Sequence, residues 1–213
     1  MDFDEWKPIY FQILDDFGFS IERDRLAASI LSGLLEEHKD RALGSPEELG
    51  SMIKDMDVLV CGNAPCLTDD IRTHDVEKYT VIAADGATER LLDHGIVPHI
   101  IVTDLDGNVQ KEIDACRRGA IVVIHAHGDN IEAVKRYLSS FSKIIGTIQA
   151  EPLKNVYNFG GFTDGDRCVF LAHEFGALNI TLAGFDFDDP DVSLMKKKKL
   201  KWAKELIGII LDK

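Results

Sequence analysis

The chain has 213 residues, 45% hydrophobic and 29% charged, with a formal net charge of −13. This composition fits one globular domain of generous size, or a domain with a small appendage. The acidic balance argues against a broad basic face for nucleic acid, and no apolar run approaches the ~20 residues that span a bilayer.

The opening MDFDEWKPIY is acidic and lacks the basic n-region of a signal peptide, so the expected location is the cytoplasm. The first fifty-odd residues read as helical. SIERDRLAASILSGLLEEHKD places Leu26, Ile30, Leu31, Leu34 and Leu35 on one face, with Ser20 as N-cap. A second start follows at SPEELGSMIKDM, where Ser45 and Glu48 have capping-box spacing and Pro46 takes the first helical position. A helical N-terminal extension, 1–56, is therefore expected before an α/β catalytic domain, 57–213.

From Asp57 onward, short apolar runs recur: VLVCG, VIAAD, IIVTD, IVVIH, KIIGTI and ITLAGFD. They are continuously apolar, as in parallel strands buried on both faces. Helix-like segments at 86–94, 109–118, 129–140 and 164–175 separate most of them. The pattern predicts an α/β fold: an open, mostly parallel, Rossmann-like sheet of about six strands with helices on both faces. Cys61, Cys66, Cys116 and Cys168 lack C-x-x-C spacing, which disfavours a zinc site or disulfide framework, and Cys61 and Cys168 are expected to be buried thiols. The tail predicts a helix packing through Leu200, Trp202, Ala203, Leu206 and Ile210. Its four lysines, Lys196 to Lys199, read either as a solvated face or as cations near a phosphate site.

Polar residues gather where the strands end, the edge at which open α/β sheets bind ligands. Gly62 and Asn63, Asp85 and Gly86, Asp104 and Asp106, His125, His127 and Asp129, and Asp186 all follow strands. No G-x-x-x-x-G-K-[ST] or G-x-G-x-x-G is present, yet the turn CGNAPCL, through Gly62, Asn63 and Pro65, can present backbone N–H groups to a phosphate. Paired carboxylates suit a hard cation that bridges phosphates, so Asp104 and Asp106 are the expected Mg²⁺ ligands, with Gly107 permitting positive φ and a close approach. An Asx-turn with a helix cap is the alternative use of the same residues. In NFGGFTDGDR, Gly160, Gly161, Thr163, Asp164 and Asp166 form a Gly-rich anion cradle or a helix cap, and Arg167 offers a planar fork for phosphate. His125 and His127 suit ligation and a backbone-tied structural role equally.

The block AADGATERLLDHGIVPHIIVTDLDGN resembles thiamine pyrophosphokinases. CGNAPCL, AADGA, VTDLDGN, HAHGDN, NFGGFTDGDR and LAGFDF, in order from about 58 to 188, resemble more closely the archaeal, MptE-like family of 6-hydroxymethyl-7,8-dihydropterin pyrophosphokinases. The resemblance implies Mg²⁺-dependent transfer of the β,γ-pyrophosphate of ATP to a reduced pterin, with release of AMP, in folate or tetrahydromethanopterin biosynthesis. It aligns Asp104 and Asp106 with a metal-binding Asp-x-Asp and Asp85 with the Asp of the ADG block. His125 and His127 replace acids of the thiamine enzymes, and Asp129 is retained. On this reading Asp85 or Asp129 completes the metal shell or orients the hydroxyl. Asn108 and Asp186 are candidates for the pterin edge, and Phe159 or Phe162 for stacking on its ring. The implied partners are small molecules, with neither nucleic acid nor membrane, and a homo-oligomer is compatible. The rival readings are a thiamine pyrophosphokinase, a metal-dependent nucleotide-sugar glycosyltransferase and a non-catalytic ligand sensor.

Overall fold

The computed structural model describes residues 1–38 and 43–212. Lys39, Asp40 and Lys213, at the ends of two segments read as helical, lie outside the described residues. Helices α1 (Phe3–Phe17), α2 (Ile21–Glu37) and α3 (Pro46–Ile53) come first. Ser20 accepts from the backbone N–H of Arg23, and Ser45 and Glu48 form a reciprocal capping box behind Pro46. Leu31 and Leu35 are buried as the helical period requires, whereas Leu26 is 54% exposed and falls off the packed face.

The strands are β1 (Asp57–Cys61), β2 (Thr80–Ala84), β3 (Ile100–Thr103), β4 (Ile121–Ala126), β5 (Ile144–Ile148), β6 (Val156–Tyr157) and β7 (Asn179–Ala183). They form one parallel sheet in the order β6-β5-β4-β3-β2-β1-β7. The seventh strand, beyond the six apolar runs, is β6. With two residues at the sheet edge it has no room for a pattern. Between the strands run α4 (Leu67–Thr73), α5 (Ala87–Asp93), α6 (Val109–Arg117), α7 (Ile131–Tyr137) and α8 (Asp164–Glu174), and α9 (Leu194–Leu211) closes the chain.

Strand alternation splits the core. Leu59, Cys61, Val81 and Ala83 pack with Leu67, Ile71 and Leu91 of α4 and α5. Val58, Val60, Ile82 and Ala84 face a larger cluster that includes α8 and the buried Trp6, Tyr10, Leu31 and Leu35 of α1 and α2. Cys61 and Cys168 are fully buried free thiols, and burial pushes Cys61 up to about 12. No described helix is long and apolar enough to cross a membrane.

From β1 the chain steps strand by strand to β6, then returns through α8 to place β7 on the other side of β1. The direction of winding reverses between β1 and β7, and a crevice outside their carboxyl ends follows from that reversal.

Candidate active site

A cavity of about 670 Å³ opens along the carboxyl ends of the strands, a size typical of small-molecule sites. At its centre lie Asp85, Asp104 and Asp106, each offering an oxygen within 4.8 Å of the others. The local backbone accounts for this convergence. β3 stops at Thr103, and Leu105 adopts φ +67, so the loop and not strand alternation brings Asp104 and Asp106 to one side. The left-handed residue is thus Leu105, where Gly107 was expected. Asp85 also has positive φ, +39, just past β2, and strained non-glycine residues of this kind concentrate at functional sites. The Thr103 hydroxyl accepts from Leu105 N–H and donates to Asp85 Oδ1 at 3.0 Å, tying the two loops together.

The carboxylates differ in their surroundings. Burial raises Asp104, but the hydrogen bond and charge of His127, helped by Arg167, outweigh it and leave the carboxyl below its ordinary value. His127 Nε2 lies 3.1 Å from Asp104 Oδ2, while Asp104 Oδ1 is buried without a protein partner among the described residues. Asp106 is pushed up to about 7, first by burial and then by the charges of Asp104 and Asp85. Behind them Glu112 of α6, 1% exposed, is raised to about 9 by burial and by Asp85. A crowded all-oxygen set with a deprotonated member, an orphaned oxygen and a protonatable member has the chemistry of a hard divalent cation site.

Most of the other sequence candidates line the same cavity: Gly62, Asn63, Pro65, Gly86, Thr163 and Asp164, and also Asp129, Phe162, Arg167 and Asp186. Asp129 pairs with Arg23 at 3.1 Å. Phe162 packs on Phe17, with ring centroids 5.0 Å apart. Asp164 is raised well above its ordinary range by burial and then by Asp104, with Arg167 opposing.

Five candidates lie off the wall. Asp166 is fully buried and accepts from Phe162 N–H, Thr163 N–H and the Thr163 hydroxyl, which makes it a helix-start residue. Gly161 (φ +91) crosses α8 so closely that a Cβ would stand 2.8 Å from Arg167 Cα, and one on Gly160 would meet the Phe170 ring at 2.4 Å. These glycines let the loop pack on α8. Phe159 sits between the rings of Tyr157 and Phe175. Asn108 donates to Glu89 at 2.9 Å.

The sequence reading missed other parts of the wall. Phe19, Arg23 and Asp24 reach it from the α1–α2 turn and α2, Arg90 from α5, and Gln149 from the end of β5. Asp24, 4% exposed, accepts from Gly128 N–H, the Tyr10 hydroxyl and Gln149 Nε2. Gln149 Oε1 in turn accepts from Arg167. Lys196 and Lys199 of α9 line the cavity, whereas Lys198 turns away onto the Phe17 ring and Asp16. An acidic chain thus gathers five cations around one acidic centre.

Comparison with known proteins shows the family. Residues 32–192 match the family model described as 6-hydroxymethylpterin diphosphokinase MptE-like. Curated proteins named 6-hydroxymethyl-7,8-dihydropterin pyrophosphokinase are similar at near full length. The Pyrococcus furiosus protein is 44% identical over 97% of this chain and 93% of its own. That of Methanothermobacter thermautotrophicus is 42% identical over 97% and 94%, and that of Methanocaldococcus jannaschii 37% over 100% and 97%. Among solved structures, a Maf glycosyltransferase from Magnetospirillum magneticum superposes with a TM-score of 0.53 at 14% identity, over 78% of this chain and 33% of its own. That likeness is one of fold alone. The family match and the three relatives agree, and the chain belongs to the MptE-like family of 6-hydroxymethylpterin diphosphokinases.

Proposed function

We propose that this protein transfers the β,γ-pyrophosphate of ATP to the hydroxymethyl oxygen of 6-hydroxymethyl-7,8-dihydropterin, releasing AMP, with Mg²⁺ held by Asp104 and Asp106 and completed by Asp85. The observation that carries the reading is the carboxylate trio, three oxygens within 4.8 Å, set in a cavity whose wall also bears Arg23, Arg90, Arg167, Lys196 and Lys199. The trio fits the ion: the donors are all oxygen, one is buried without a protein partner among the described residues, and burial together with the neighbouring carboxylates has raised Asp106 to about 7. Mg²⁺ bound there would neutralise phosphate charge and align the chain for displacement.

This chain's own residues supply the rest. The pterin oxygen attacks the β-phosphorus in line, the bond to the α-phosphate oxygen breaks, and AMP leaves with that oxygen. Such transition states are loose, so positioning and electrostatics dominate. Arg167 and the α9 lysines draw off charge on the transferred group, and the turn at Gly62, Asn63 and Pro65 cradles nucleotide phosphates through N–H groups. Asp129 orients the attacking hydroxyl, whose proton is released to water. Asp186 reads the amino-pyrimidinone edge of the pterin, and Phe162 packs on its ring.

The test is incubation with ATP, Mg²⁺ and 6-hydroxymethyl-7,8-dihydropterin, with thiamine in parallel. AMP and pterin diphosphate in equal amounts, lost in Asp104→Asn, is the expected result. AMP formation with thiamine alone would move the acceptor, and inactivity with both would overturn the reading.

A further inference from the structure

Arg167 faces two cavities. Arg167 lines the large one and also borders a second, of about 10 Å³, among Val102, Val123 and Leu171. The small cavity also borders His125 and Thr147. Two buried polar atoms without a hydrogen-bond partner among the described residues belong to its lining side chains: His125 Nε2 and Arg167 Nε. His125 is 1% exposed and Arg167 8%. Buried polar atoms are almost always satisfied, and leaving one bare is costly.

The hydrogen bonding fixes what each atom requires. Thr147 Oγ1 donates to the carbonyl of Ile124 at 3.3 Å. Its one hydrogen is thereby used, so toward His125 Nδ1, 3.3 Å away, it accepts. With that hydroxyl hydrogen on the Ile124 carbonyl, His125 carries its proton on Nδ1. Burial, and then the charge of Arg167, push the ring well below its ordinary pKa, so it is neutral and Nε2 is a bare acceptor. Arg167 Nε–H is always a donor. A donor and an acceptor on the wall of one cavity call for a molecule that can accept and donate at once. About 10 Å³ is the room one water needs.

We propose that this cavity is a built water site, in which one water accepts from Arg167 Nε–H and donates to His125 Nε2, making His125 a positioning residue for Arg167. The other nitrogens of the guanidinium are held at the same time: one by Gln149 Oε1 at 3.2 Å, the other by Asp164 Oδ1 at 3.4 Å. Three ties around a planar group fix its tilt, so its outer edge meets a phosphate without a search. The water site stands apart from the function proposed above, and only its consequence for turnover rests on that reading.

Two measurements on the unaltered protein test the site. Nitrogen-15 NMR of histidine-labelled protein is expected to show His125 as the Nδ1–H tautomer with a bare Nε2. A crystal structure of the full chain at high resolution is expected to show one solvent peak within hydrogen-bond distance of both atoms. An Nε2–H tautomer, or a cavity without solvent, overturns the site whatever the enzyme turns over. The positioning role is read with His125→Phe, expected to lower kcat about tenfold with less than a twofold change in the KM for ATP. His125→Gln, which keeps an acceptor, is expected to recover most of that loss. Equal kcat in His125→Phe and the parent, in folded protein, overturns the positioning role. Inactivity of the parent would instead count against the proposed function, and the tautomer and solvent peak would still decide the water site.

Discussion

A Cβ placed on Gly107 would stand 2.5 Å from Oδ2 of Asp85. The loop after β3 therefore passes the carboxylate at the end of β2 with no space for a side chain, and Gly107→Ala must displace one of them. The expected outcome is a fall in Mg²⁺ affinity of about tenfold, equal to ~1.4 kcal/mol, with the fold retained. Calorimetric titration with Mg²⁺ checks it, and an unchanged affinity would show that the trio tolerates the shift.

Asp106 sets a pH dependence whose sign follows from linkage. Its folded-state pKa is raised to about 7 by burial and by Asp104 and Asp85, above the unfolded value near 4. The folded state then holds a proton that the unfolded chain has released, so stability is full below pH ~4 and declines as pH rises through ~7. Asp106→Asn removes this term. Metal-free, the variant is expected to melt about 2–4 °C above the parent at pH 8, corresponding to ~1 kcal/mol after discounting for exposure. The gap should close near pH 4. Its transferase activity should fall at least a hundredfold at every pH. Melting scans in chelator at the two pH values test the first claim, and AMP release tests the second.

The sheet and its acidic edge were legible because both rest on short-range patterns. Strands buried on both faces stay apolar throughout, and Asp85, Asp104, Asp106 and Asp129 each follow one. The closed wall was not legible. Arg23 and Asp24 look like ordinary polar positions of an amphipathic helix, and only the packing of α2 against the loop at Gly128 carries them to the cavity. Lys196 and Lys199 differ from Lys198 only in the direction they face once α9 docks. Gly160 and Gly161 carry the composition of a phosphate loop, yet their lack of a side chain is used against Phe170 and Arg167. Composition shows that the chain comes close to something, and tertiary packing decides to what.

Asp24 joins the N-terminal helices to the site. Its carboxylate receives Gly128 N–H at 2.9 Å, the Tyr10 hydroxyl at 2.7 Å and Gln149 Nε2 at 2.8 Å. Asp24→Ala strands three buried donors together, and loss of such a network costs about 3–5 kcal/mol. Denaturant unfolding should show a drop of that size. Asp24→Asn, which keeps one acceptor oxygen, should lose less. Because Gln149 also holds Arg167, kcat should fall in both variants.

The lysine run separates into two roles that substitution can tell apart. Lys198 carries its ammonium over the Phe17 ring at 4.7 Å and pairs with Asp16 at 2.8 Å, and Trp202 Nε1 donates to the same carboxylate at 2.7 Å. These contacts dock α9 on the end of α1. Lys196 and Lys199 face the cavity, and among the described residues neither ammonium has an ion-pair partner. If they attend the polyphosphate, the double variant Lys196→Gln, Lys199→Gln should raise the KM for ATP about tenfold, flatten its dependence on salt and leave the melting temperature within ~1 °C. Lys198→Gln should lower the melting temperature by about 2 °C and leave that salt dependence steep. The cavity-facing lysines are screened competitors for a mobile anion, whereas Lys198 holds a fixed partner at short range. A double variant that keeps the parent's KM and salt dependence would return Lys196 and Lys199 to the role of a solvated face.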